Sequence, residues 1–450
     1  MSGSPLADRP ATAASTATST ATAQTARPTQ TPPTALPAGQ EGPGTVVVLE
    51  PMSSGEALVK AATDLGFEVV VASFDAEDRT LSPPARRAGT VVRVDTNDDR
   101  ALDDAVLAAV AGRRVAAVLP GFEFYVPAAA RLAARLGRPA LPVRAAEACR
   151  DKELMRGTVA AAGLRVPRHA VAATAADLAA AADQVGFPCV VKPTRSAGSV
   201  HVTRADTLAD LRAAHRRMAD DPRRDLGRAL DGRVLVEEYI AGPEVSAEGY
   251  VTDGRSTVVA VTRKMLGPEP FFVETGHLVP ADLTAPARAK IDRYVATVTA
   301  ALGVTTGPFH CELRLAGGRD PVLIELGARL PGDHIVDLVE AVTGVSLPRA
   351  AVALAAGLDA DVAVRAPQAK HAGIRFFTAP GLASYSSVRG LDAVGREPGV
   401  WDVEVAVAPG ESIAPAEDFR CRLGHVLFVA DSAAEAEQRW HHLGEQVRFD

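Results

Sequence analysis

The chain is predicted to be an α/β and α+β multidomain protein, and three observations carry that reading. Strand-like and helix-like segments alternate between residues 45 and 138. From residue 147 onward, lysines, a small-residue turn and acidic strand ends follow one another in a series. From about residue 366, strand patterns are followed by one long helical pattern. With 450 residues, 47% of them hydrophobic and 23% charged, the chain can build two or three cores. The expected units are a tail at 1–44, a parallel-sheet domain at 45–146, a second domain at 147–365 and a small α+β cap at 366–450.

The tail is Ala, Thr and Pro with almost no large apolar side chains, so it cannot bury enough surface to offset its chain entropy and is expected to be disordered. Then "TVVVLEP" is a continuous β-branched run, a helical pattern follows from Gly55 to Leu65, and "FEVVVAS" returns to strand. The alternation continues through "TVVRVD", "DDRALDDAVLAAVA", "RVAAVLPG" and "VPAAARLAARLG", the pattern of a Rossmann-like parallel sheet. The first turn, "EPMSSGEAL", lacks the G-x-G-x-x-G spacing that brings a pyrophosphate to a helix N-terminus, so no dinucleotide site is expected there.

A net charge of -7 and no run of Lys or Arg give no field for nucleic acid. No apolar run reaches membrane-spanning length, so no membrane is expected. The four cysteines, Cys149, Cys189, Cys311 and Cys421, form no C-x-x-C pair, which argues against disulfides or structural zinc and for a reducing cytoplasm.

The candidate chemistry begins at "CRDKELMRGTVAAAGL", a helix with Asp151 as its cap and Lys152 in its first turn. "FPCVVKP" is a strand ending on Lys192, and "RSAGS" after it, with Ser196, Gly198 and Ser199, is small enough for backbone N–H groups to approach an anion. A tight hairpin explains that turn equally well. Only six of the 48 basic residues are lysine, so where an ammonium occurs a compact cation is indicated. "RVLVEEYIAGPEV" resembles a hinge that could grip a nucleoside, with Glu237, Tyr239 and Ile240 near a base and Glu244 near ribose hydroxyls; a solvated edge strand is the plainer reading. In "FHCELRLAGGRDPVLIELGARLPGD", two strands around a turn set Glu312 and Glu325 on adjacent antiparallel strands. Like charges opposed in a sheet repel unless a cation lies between them, and magnesium fits. The alternative is an ion network in which Arg314 or Arg329 pairs with both.

This ordered set resembles the ATP-grasp superfamily over roughly residues 45 to 450, and within it carboxylate-amine ligases of the L-amino acid ligase type. The resemblance implies the ATP-grasp fold, with a pre-ATP-grasp domain in front, and an acyl phosphate made from ATP and a carboxylate, then attacked by an amine. It implies ATP phosphate contacts for Lys152 and Lys192, adenine contacts for Glu237, Tyr239 and Ile240, a ribose contact for Glu244, and magnesium, with manganese as a substitute, on Glu312 and Glu325. Arg329 would steady the transferred phosphate and the tetrahedral intermediate. Glu274 and His277, read as lying in a loop, are assigned to the amino acid substrate, Glu274 to its ammonium. Many superfamily members have Asn two residues beyond the second metal glutamate; Gly327 stands there instead, leaving a third ligand open. A homodimer is carried by the resemblance alone. The readings left open are a ligase for a non-amino-acid carboxylate and a nucleotide-binding protein without turnover.

Overall fold

The sequence "TVVVL" is apolar on both faces, which suits a strand covered on both sides, and in the computed structural model it forms the buried strand β1 (Thr45–Leu49). The structure describes residues 43–450, so the expected disordered tail lies outside the described residues except for its last two. β1 pairs in parallel with β2 (Glu68–Ser73) and β4 (Val115–Pro120), and β3 (Thr90–Arg93) completes the order β3-β2-β1-β4. Alternation divides the side chains: Val46 and Val48 join Leu58 and Leu65 on one face, while Val47 and Leu49 join Leu102 and Leu132 on the other.

A lobe follows, built on β5 (His169–Ala172), β6 (Cys189–Pro193), β7 (Thr203–Ala205) and β8 (Val234–Glu238) in the order β5-β8-β6-β7, all antiparallel. Leu178, Leu211, Val191 and Val236 form its core.

The largest sheet contains β9 (Glu244–Thr252), β10 (Arg255–Leu266), β11 (Glu274–Val279), β12 (Gly307–Ala316), β13 (Asp320–Gly327), β14 (His371–Thr378), β16 (Val400–Val405) and β17 (Arg422–Ala430). Its order is β13-β12-β9-β10-β11-β14-β17-β16, and a two-residue pair, β15 (Val388–Arg389) with β18 (Arg448–Phe449), lies beside it. The expected C-terminal cap is therefore not a separate sheet. β14 hydrogen-bonds to β11, so the backbone ladder runs across the 365/366 boundary. "TDGR" makes the expected β9–β10 hairpin, with Thr252 opposite Arg255. Among the described residues no helix is long and apolar enough to cross a membrane.

Candidate active site

The β12–β13 hairpin sets Glu312 directly opposite Glu325. Neither alternative arginine neutralises the pair: Arg314 Nε donates to Glu244 Oε2 at 3.0 Å and Arg329 Nε to Glu123 Oε2 at 2.5 Å. Two lysines do so instead. Lys264 Nζ lies 2.6 Å from Glu312 Oε1, and Lys152 Nζ lies 2.9 Å from Glu325 Oε1. Burial pushes the Glu312 carboxyl up, but Lys264 and a hydrogen bond from His310 outweigh it and hold the group well below the usual carboxylate range. His310 lies between two acids, Nδ1 at 3.1 Å from Glu248 Oε1 and Nε2 at 3.2 Å from Glu312 Oε1; burial lowers its pKa, the two carboxylates raise it, and they prevail. Both opposed glutamates keep about a fifth of their side chains exposed and line one open cleft, so an ion entering from it could reach them.

Lys152 begins the helix Lys152–Ala161, whose N-terminus is capped by Asp151 Oδ1 accepting from the backbone N–H of Glu153 and Leu154. The cap fixes where the chain enters, and the ammonium reaches Glu325 and the Ser196 carbonyl, 3.0 Å away. Lys192 is the residue before the last of β6 and is ion-paired with Glu237. Burial lowers the Lys192 pKa more than Glu237 raises it. Glu237, expected at the base, is 2% exposed, and its second oxygen accepts from Arg156 Nη2 at 2.9 Å; in this geometry it holds Lys192 in place. The cleft also has apolar lining from Val190, Tyr239, Ile240, Phe272 and Ile324, with the Tyr239 and Phe272 rings stacked at 6.5 Å. Glu244, expected at ribose, is shared between Arg314 and Lys264. Ser196, Gly198 and Ser199 line the same cleft. Gly198 has φ +66, and a Cβ there would stand 2.6 Å from the Phe419 ring, so glycine allows both the turn and the close cover from the C-terminal segment.

Glu274 and His277 are not in a loop. They lie on β11, an interior strand of the large sheet between β10 and β14. Glu274 faces the cleft, while His277 is fully buried behind it and reaches it through Asp333, its Nε2 3.0 Å from Asp333 Oδ2. Arg422, at the start of β17, bridges the group: Nη1 donates to Asp333 Oδ2 at 2.8 Å and Nη2 to Glu274 Oε2 at 3.3 Å. Burial raises the Asp333 carboxyl, and Arg422 with His277 pulls it well below its usual range. The ligand atoms of Glu274, His277 and Asp333 lie within 4.8 Å of one another, a spacing a metal could use. Lys264 and Arg422 pair with these carboxylates, so fixed charges of both signs line this end of the cleft, as a zwitterionic substrate requires.

All predicted site residues except His277 line one cleft. The sequence reading did not assign Lys264, Arg422, Asp333 or Glu123. The scarcity of lysine pointed to Lys264 no more than to the others; Lys152, Lys192 and Lys264 are the buried three of the six. Arg422 and Asp333 carried no local signal, because one is an arginine among many and the other a loop acid.

Two domain families and several known proteins are similar to this chain. Residues 185–337 match the ATP-grasp domain family, and residues 375–450 match the L-amino acid ligase C-terminal domain 2 family. The uncharacterized protein y4rH of Sinorhizobium fredii (strain NBRC 101917 / NGR234) is 30% identical over 351 residues, which cover 77% of this chain and 70% of that one. Alanine–anticapsin ligase of Bacillus subtilis (strain 168) is 28% identical over 262 residues, 55% of each chain, so the match spans only about half the length of that relative. Among solved structures, the L-amino acid ligase of Bacillus licheniformis superposes with a TM-score of 0.77 at 25% identity, covering 91% of this chain and 99% of that one.

Proposed function

We propose, from the premise that this chain belongs to the ATP-grasp family of ligases and carries the C-terminal domain of L-amino acid ligases, that it joins an amino acid carboxylate to an amine using ATP. The observation that carries the reading is the opposed pair Glu312 and Glu325 in one cleft with Lys152, Lys192 and Arg329. A protein that only held a nucleotide would have no use for Arg329 at that place.

Glu312 and Glu325 offer hard oxygen donors that suit magnesium, or manganese in its place; bound there, the ion screens charge on the phosphate oxygens during transfer. The residues of the chain do the rest. Tyr239, Ile240 and Phe272 pack the base, and Lys152 and Lys192 pair with phosphate oxygens under the Ser196–Ser199 turn. Glu274 and Asp333 take the substrate ammonium, and Arg422 and Lys264 keep those carboxylates in position. A carboxylate oxygen of the acid attacks the γ-phosphorus and ADP leaves. The amine then attacks the acyl carbon, and phosphate departs as the amide forms. Arg329 donates to the oxyanion of that step, a contribution of about 3 kcal/mol for such a donor. The setting of the reading is a reducing cytoplasm, in keeping with four buried, unpaired cysteines.

Hydroxylamine tests the reading without knowledge of the natural amine. Protein, ATP, magnesium and single amino acids should yield an aminoacyl hydroxamate with one ADP per hydroxamate. A panel of amino acids that gives no hydroxamate, while a non-amino-acid carboxylate does, would move the assignment to that other acid class. ADP release with no hydroxamate from any acid would contradict an acyl phosphate.

A further inference from the structure

Arg329 is held by a residue from another domain. Glu123 follows β4 in the parallel-sheet domain, is 2% exposed, and accepts from Arg329 Nε at 2.5 Å and from Arg150 Nη1 at 3.2 Å. Arg150 in turn lies over the Phe124 ring at 4.8 Å, so the carboxylate is fixed from its far side. Burial pushes the Glu123 carboxyl up, but Arg329, Arg150 and Lys152 outweigh it and keep it ionised. On the other side of the pair stands Gly327. Its φ is not in the left-handed region, so the backbone does not demand glycine; space does. A Cβ at 327 would stand 2.8 Å from Glu123 Oε2 and 3.3 Å from the Arg329 guanidinium.

We infer that Glu123 is the positioning residue for Arg329, and that Gly327 is the opening through which the two domains make this contact. The inference rests on the ligase reading above for the role of Arg329. It changes the meaning of Gly327: the place where a metal-ligating side chain could have stood is given over to the Glu123–Arg329 pair. It also gives the parallel-sheet domain a part in the chemistry, because a shift of that domain moves the guanidinium that faces the oxyanion. Such a group must be held within a fraction of an ångström to act.

Three variants test it: Glu123→Asp, which keeps the charge but withdraws it by one methylene; Gly327→Ala, which crowds the carboxylate; and the two combined. Hydroxamate formation should lose about tenfold in kcat for each single variant, with KM for ATP little changed, because the residues assigned to ATP contacts are other ones. The combined variant should lose about tenfold, not about a hundredfold, since the shorter aspartate side chain at position 123 leaves room for the new methyl. Losses that multiply, or that appear as a raised KM for ATP, would overturn the inference. A second readout needs no turnover: modification of Arg329 by phenylglyoxal, followed by peptide mass, should speed up several-fold in Glu123→Asp. Unchanged Arg329 reactivity would overturn the inference even if the wild type made no hydroxamate, whereas an inactive wild type with the expected reactivity change would refute the ligase reading alone.

Discussion

Removing the ammonium of Lys264 is the sharpest test of how the cleft is held together. The substitution Lys264→Met keeps most of the stem and deletes a charge 2.5 Å from Glu274, 2.6 Å from Glu312 and 3.5 Å from Glu244. At an effective dielectric of ~20, a pair 2.6 Å apart attracts by roughly 6 kcal/mol. Two such contacts oppose the several kcal/mol spent on burying an ammonium, and breaking buried pairs on one side costs about 3–5 kcal/mol net. Spread over a unit of 150–250 residues, that is about 10 °C in thermal midpoint. The pH dependence has a definite sign. Glu312 is held below its usual range, chiefly by Lys264 working against burial, so the stability it contributes is present above its unfolded value and lost as pH falls through the folded one. Without Lys264 that contribution vanishes, so the deficit of the variant should keep its full size from neutrality down to about 4 and shrink as the pH falls further below that. Differential scanning calorimetry of both proteins between neutral and acid pH measures this. A midpoint within about 2 °C of the wild type at neutral pH, or a deficit that does not shrink on acidification, would refute the three-carboxylate account.

Three further outcomes are expected. Glu312→Gln and Glu325→Gln should each lower ADP formation by about a hundredfold or more, and a chelator should abolish it in the wild type, as followed by a coupled ADP assay. Arg329→Lys should lower kcat by about a hundredfold while leaving KM for ATP nearly unchanged, because an ammonium cannot reproduce the guanidinium's simultaneous bonds to Glu123 and the Leu330 carbonyl. Asp225, whose carboxyl is pushed up to about 6 by burial and then by Asp78, should contribute stability below its unfolded value that is lost as pH rises through about 6. Asp225→Asn should therefore be more stable than the wild type at neutral pH by about 1–2 kcal/mol, after allowance for its partial exposure, in urea titrations across that range.

Local patterning carried most of the fold. The runs "TVVVL" and "EVVVAS", buried on both faces, could only be central parallel strands, and the "TDGR" turn fixed the β9–β10 register. The opposed glutamates of the β12–β13 hairpin were legible because like charges in a sheet call for cations, and the structure sets two lysines against them; the scarcity of lysine pointed to all six alike, of which Lys152 and Lys192 were assigned and Lys264 was not. β11 was not legible. Its sequence, "ETGHLV", contains a glycine and begins with polar residues, and its partner β14 lies about a hundred residues downstream, so only tertiary pairing makes it a strand. The same long range hid the junction of the C-terminal strands with the main sheet. Glu123 and Arg422 escaped for a related reason: each meets its partner, Arg329 or Asp333, only because separate units pack together, and no spacing in the chain records that.

The claim at the centre of the account is that one cleft couples ATP cleavage to amide formation. Its most direct test is ADP release by purified protein with ATP and magnesium, across amino acids offered singly and in pairs, with product masses read alongside. The account predicts release that depends on a particular pair and a dipeptide mass in a one-to-one ratio with ADP. ADP release that ignores the amino acids offered, or amino acid pairs that leave ATP intact while it remains bound, would contradict it.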